Sequence, residues 1–232
     1  MKLFRISVLS VLTAGMLFTG CSSMNNTGKG ALVGGGGGGV LGAAIGGIIG
    51  GGKGAAIGAA IGGTVGAGAG ALIGRRMDKQ AQQLQKDLAD KAKVEQVTDS
   101  NGLAAIKVTF ESGILFPTNG TTLSPVAQQE LSQFAQSLIN NPNTDVKIYG
   151  FTDNTGTMAV NERVASGRAS SVLAYLANSG VSPTRLSAQG IPMADYVASN
   201  DTSAGRAQNR RVEIYITADK KMIQQAEAGT LS

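Results

Sequence analysis

Two residues carry the most directive chemistry: Asp153, in GFTDNTG, and Arg168, in NERVASGRASSVLAYLANSGV. A guanidinium offers a planar fork that a carboxylate accepts in bidentate fashion, and an aspartate accepts from an ammonium. One fixed anion beside one fixed cation suits a ligand that carries an amine and a carboxylate on the same carbon. Asn161 precedes Arg168 by two helical turns, so both project from one side of a helix toward the loop that holds Asp153. The plain alternative is a structural ion pair between Asp153 and Arg168, with Gly156 serving only to permit a turn.

These residues need a scaffold, and the pattern from residue 94 onward supplies one of mixed α and β character. VEQVTDSNGLAAIKVTF reads as two strands around the tight-turn pair Asn101-Gly102. SPVAQQELSQFAQSLIN opens with Ser124 as N-cap and Pro125 at the first helical position, and Leu131, Phe134 and Leu138 mark its apolar face. DVKIYGF is a strand, and a longer helix runs from about Met158 to Asn178, ending before Gly180. RLSAQGI and RRVEIYIT complete one sheet packed by two main helices.

The first third of the chain differs in kind, with no Asp or Glu before Asp78. Lys2 and Arg5 precede an apolar run from Ile6 to Phe18, too short for a membrane span, and the small residues Thr19-Gly20 lead into Cys21, the only cysteine. This is the pattern of an export signal. LFTGC resembles the bacterial lipobox, which implies cleavage before Cys21, acylation of that residue and, with Ser22 following it, placement in an outer membrane. Loss of Lys2 and Arg5 leaves 18 basic against 15 acidic residues, a net charge of +3. That is too small to argue for nucleic acid.

Glycines from Gly34 and Gly38 through Gly70 and Gly74 recur every fourth residue, with Ile45, Ile49, Ile57 and Ile61 between them. A phosphate loop is excluded because GIIGGGKG ends at Gly54, where magnesium needs a Ser or Thr hydroxyl. The register instead matches helices whose backbones approach closely in lipid. One helix would extend about 60 Å, twice the hydrocarbon thickness, so two passes turning near Lys53 fit better. A Gly/Ala-rich tether is the alternative, favoured by the six consecutive glycines at 34–39. After Arg75-Arg76, MDKQAQQLQKDLADKAK is expected to form a solvated helical stalk, with the two arginines at the membrane surface.

In order and spacing, GFTDNTG, NERVASGRASSVLAYLANSGV, RLSAQG and SNDTSAGRAQNRRVEI resemble the C-terminal domain of the outer-membrane protein A (OmpA) family over about residues 95–218. The resemblance implies an α+β fold, an OmpA-like βαβαβ domain with a mixed sheet packed by helices. It also implies binding of peptidoglycan through the diaminopimelate of its stem peptide. Carried over by motif position, Asp153 and Arg168 match the family's binding acid and arginine, while Asn119, Thr155 and Asn161 match positions lining the same pocket. Pro117 and Phe151 stand where the family usually has an acid and often has His. Gly205, Arg206, Asn209, Arg210 and Arg211 resemble residues that support the fold near the last strand.

The expected organisation is a signal peptide (1–20), a lipidated N-terminus at Cys21 (21–29), a glycine-zipper segment (30–74), a helical stalk (75–93), the OmpA-like domain (94–218) and a C-terminal tail (219–232). The expected partners are peptidoglycan, outer-membrane lipid through acylated Cys21, and self-association through the zipper, with no metal or cofactor. Envelope assembly through another partner is the rival reading. Hydrolysis of the wall is disfavoured, since the chain has no His and its one thiol is committed to lipid. Ion-driven motor function would need an acid within a membrane span, and none is present before Asp78.

Overall fold

The computed structural model describes residues 65–231, excepting Asp90, Ser100 and Thr118. Expectations for the signal peptide, Cys21 and most of the glycine register fall outside the described residues. Chain order is α1 (Ala67–Asp87), β1 (Lys93–Thr98), β2 (Ala104–Glu111), α2 (Ser112–Leu115), α3 (Pro125–Asn140), β3 (Thr144–Phe151), α4 (Met158–Asn178), β4 (Leu186–Ile191), α5 (Ser203–Asn209), β5 (Arg211–Ala218) and α6 (Lys220–Glu227).

The strands form one mixed sheet in the order β1-β2-β5-β3-β4. β3 and β4 run parallel, as a crossover through α4 requires, and every other neighbouring pair is antiparallel. Period-two alternation puts Ile106, Val108 and Phe110 of β2 on one face, opposite Ile216, Ile214 and Val212 of β5. Val146 and Ile148 of β3 extend that apolar stripe. Leu131, Phe134 and Leu138 of α3 close over it, with Phe110 and Phe134 edge to face at 6.1 Å. The α+β expectation is met, including the turn at Asn101-Gly102, where Gly102 takes φ 75°, and the Ser124 cap, whose Oγ accepts from the Ala127 amide at 3.0 Å.

The solvated stalk over 75–93 is not what forms. α1 crosses the Gly74/Arg75 boundary as one helix and buries Ala69, Ile73, Met77, Ala81, Leu84 and Leu88 in the domain core. Leu84 and Leu88 are the end of an apolar stripe that begins on the glycine side of Arg75-Arg76, so dividing the chain at those arginines hides it. Gly70 and Gly74 are buried within the same helix. The tail beyond residue 218 folds as α6, capped by Asp219 and packed on α1 through Met222 and Ala226. Among the described residues, no helix is long and apolar enough to cross a membrane.

α4 lies directly on the sheet because two strand positions lack a side chain. A Cβ at Gly150 of β3 would collide with the Ala165 carbonyl oxygen, and one at Gly190 of β4 would sit 2.5 Å from the Ser166 nitrogen. This contact fixes the height of α4 one turn before Arg168.

Candidate ligand-binding site

Asp153 sits in the turn that leaves β3 and is 5% exposed. Its Oδ1 accepts from the Thr155 amide at 2.8 Å, and Gly156 at φ 92° turns the chain into α4. Asn161 Nδ2 donates to the carbonyls of Thr155 at 2.8 Å and Thr157 at 3.1 Å, so the first turn of α4 pins the Asp153 loop. Asn161 thus clamps the loop that carries Asp153. Asp153 Oδ2 accepts from Arg210 Nη1 at 2.5 Å. Burial alone would raise the Asp153 pKa, but the Thr155 amide and the Arg210 guanidinium outweigh it and hold the carboxyl below its ordinary value.

Arg168, further along α4, is 3% exposed. Its Nε donates to the Gly120 carbonyl at 3.0 Å, and its guanidinium carbon lies 5.4 Å from the centre of the Phe116 ring. Nη1 and Nη2 donate to no acceptor among the described residues, which leaves a fork of the kind a carboxylate can accept from. Burial lowers the Arg168 pKa, the nearby charge of Arg210 lowers it further, and Asp153 acts in the opposite direction. The three charges therefore share one neighbourhood. Asn119 is exposed and left-handed at φ 57°, next to the glycine whose carbonyl holds Arg168.

The site thus brings the Asp153–Thr155–Asn161 loop to one end of α4 and the Asn119–Gly120 loop to Arg168. Asp153 makes its ion pair with Arg210, so the simple Asp153–Arg168 bridge does not form. Arg210, the cation that pairs with Asp153, is the residue that sequence spacing did not single out; its only signal was membership of GRAQNRR. The rest of that motif builds the surrounding wall. Buried Asn209 accepts from the Val197 and Ala198 amides, and its Nδ2 donates to the Ala198 carbonyl and to Asn200 Oδ1. Asn200 Oδ1 also accepts from the amide of Asn154, beside Asp153, at 3.4 Å. Arg211 pairs with Glu213 at 2.7 Å and stacks 3.8 Å from the centre of Phe151.

This arrangement of sheet, loops and motifs has a family counterpart: residues 115–210 match the OmpA family model. Over those residues the chain is similar to OmpA-family domains. Residues 1–78 match the YMGG-like Gly-zipper model, so the two expected segments are both present in their expected order. The chain is 39% identical over 117 residues to outer membrane protein A of Bordetella avium, covering 50% of this chain and 60% of that protein. It is 36% identical over 113 residues to the peptidoglycan-binding protein ArfA of Mycobacterium tuberculosis (strain ATCC 25618 / H37Rv), covering 49% of this chain and 35% of that one. Among solved structures, the cell wall anchor of the T6SS from Pseudomonas aeruginosa is similar, with a TM-score of 0.52 and 28% identity over 59% of this chain and 97% of the other. The matches span 60% or less of these two relatives' own length.

Proposed function

We propose that this chain is an OmpA-like outer-membrane lipoprotein that holds peptidoglycan noncovalently through the diaminopimelate of the stem peptide. The observation that carries the reading is the open Nη fork of buried Arg168 in the field of Asp153. The ligand carboxylate takes the fork, which is already immobilised through Nε, so little side-chain freedom is lost on binding. The ligand ammonium donates to Asp153, whose oxygens each keep a lone pair beyond the bonds to Thr155 and Arg210. No covalent step is involved. The wall-binding relative and the structurally similar wall anchor support the same class of ligand.

Acylation of Cys21 gives the opposite end its hold on the outer membrane, with residues 94–218 on the periplasmic side. Cys21→Ser should leave an uncleaved precursor without acyl label; a mature chain of unacylated mass in the native host would sink this part.

The deciding experiment is co-sedimentation with purified diaminopimelate-type sacculi. Asp153→Ala and Arg168→Ala should each lose about 2 to 5 kcal/mol of binding if the site is desolvated. Lys147→Ala, an exposed position on β3, should bind as the parent does. A folded double variant that still sediments like the parent refutes the site.

A further inference from the structure

The two adjacent arginines at the end of α5 are used differently. Arg211 commits every guanidinium nitrogen inside the protein: Nε donates to Glu213, Nη1 to the Asn209 carbonyl and Nη2 to the Asp195 carbonyl. Arg210 commits one. Its Nη1 donates to Asp153 Oδ2, whereas among the described residues Nε and Nη2 donate to nothing, and the side chain is 41% exposed. Its backbone is held on both sides, the amide donating to the Arg206 carbonyl at 3.0 Å and the carbonyl accepting from the Ser112 amide at 2.9 Å. Nε and Nη2 belong to one edge of the guanidinium, so their two N–H groups run parallel, the geometry that a carboxylate accepts in bidentate fashion.

The charge around Arg210 is unbalanced. Burial and then the charge of Arg210 lower the Arg168 pKa, and Asp153 is the one charge among the described residues that opposes them. Two cations thus share one acid. A ligand end that carries one ammonium and one carboxylate is neutral and leaves the excess positive charge in place, whereas a second carboxylate removes it. We propose that the Nε–Nη2 edge of Arg210 receives a second carboxylate of the stem peptide bound at Asp153 and Arg168. The inference rests on the wall-binding reading above. A stem whose glutamate is linked through its side chain keeps that residue's α-carboxylate free beside diaminopimelate, and the last alanine carries another at the chain end. Specificity then extends past the diaminopimelate itself, and a stem amidated at the second carboxylate is the poorer ligand.

The test is calorimetric titration of the full acylated chain in detergent micelles with the synthetic tetrapeptide L-Ala-γ-D-Glu-diaminopimelate-D-Ala and two analogues, amidated at the glutamyl α-carboxylate or at the terminal carboxylate. One analogue should bind the parent about tenfold more weakly, the lower end for a charge-assisted contact because Arg210 is partly exposed. The analogue that shows the loss identifies the source. In Arg210→Gln, which keeps an amide donor for Asp153, that analogue and the unmodified peptide should bind alike. A loss of equal size in parent and variant overturns the contact, and so does a loss shared equally by both analogues, which marks a diffuse field. If both analogues bind the parent as the unmodified peptide does while Arg168→Ala abolishes binding, the Arg210 contact falls and the diaminopimelate reading stands. Peptide binding that is indifferent to Arg168→Ala overturns both.

Discussion

Arg210 Nη1 and Asp153 Oδ2 meet at 2.5 Å, joining the end of α5 to the turn after β3 across 57 residues of sequence. Through this pair the last motif of the domain adds to the larger effect of the Thr155 amide in holding the acid of its first below its ordinary pKa. The Asp153 carboxylate has two arginines in its neighbourhood: Arg210 bonds it, while the Arg168 fork has no acceptor among the described residues. Net positive charge therefore surrounds one acid, which favours a ligand that brings a carboxylate along with its ammonium.

Removing Arg210 tests that division. In Arg210→Ala the Asp153 carboxyl should titrate at higher pH than in the parent, measured by carboxyl carbon NMR. The native value in the parent is depressed, so its stabilising contribution exists above the unfolded value and fades as pH falls through the folded one. The variant should accordingly lose less on acidification. At neutral pH the stability loss should be about 1 kcal/mol or less, because the Arg210 side chain is 41% exposed. An unchanged Asp153 titration would mean that the Thr155 amide alone sets it.

α1 offers a sharper stability test. Leu84→Ala should destabilise the domain by about 2 to 5 kcal/mol, since Leu84 is fully buried in the common core. Exposed Lys86→Ala, two residues on, should change urea unfolding by about 0.5 kcal/mol at most. A loss as small as this for Leu84→Ala would return α1 to the role of a solvated stalk.

Local rules made much of this domain legible. Ser124 and Pro125 announced α3, Asn101-Gly102 announced the β1–β2 turn, and strict alternation marked Ile106, Val108 and Phe110 as core. Asp153 and Arg168 were legible as an acid and a fork-shaped cation, and the family motif singled them out from neighbours such as Glu162 and Arg163. What escaped depends on contacts between distant parts. Met222 and Ala226 are too few to show an apolar face until α1 is there to receive them. The Asp153–Arg210 pair has no spacing signature, since a turn after β3 and the end of α5 become neighbours only once β3 and β5 pair.

The close seat of α4 on the sheet makes Gly150 and Gly190 sensitive. Gly150→Ala must push its new methyl against the backbone of Ala165, and Gly190→Ala against that of Ser166, so each should cost about 1 to 3 kcal/mol. Because α4 carries Arg168, both should also weaken retention by sacculi beyond what unfolding explains. Gly68→Ala is the control: it lies in α1 with open space at its Cβ and should be neutral or stabilise by up to about 1 kcal/mol. Equal behaviour of all three in thermal melts and sedimentation would show that helix height does not govern the site.

The last prediction concerns Asp99, buried in the turn between β1 and β2, where its Oδ1 accepts from the amides of Asn101 and Leu103 at 2.8 Å each. Burial raises its pKa from 3.8 to about 6, with those bonds and Lys147 opposing the rise. A raised folded value means the native state binds the proton more tightly than the unfolded chain. Its stabilisation is thus complete below about pH 4 and is lost as pH climbs through about 6. A rise of that size corresponds to about 3 kcal/mol. Asp99→Asn keeps the Oδ1 acceptor and cannot ionise, so it should remove this dependence. Urea unfolding of parent and variant between about pH 4 and pH 7 should show the parent losing about 3 kcal/mol relative to Asp99→Asn as pH rises. A difference that stays constant across that window would show that Asp99 is ionised in the native turn throughout.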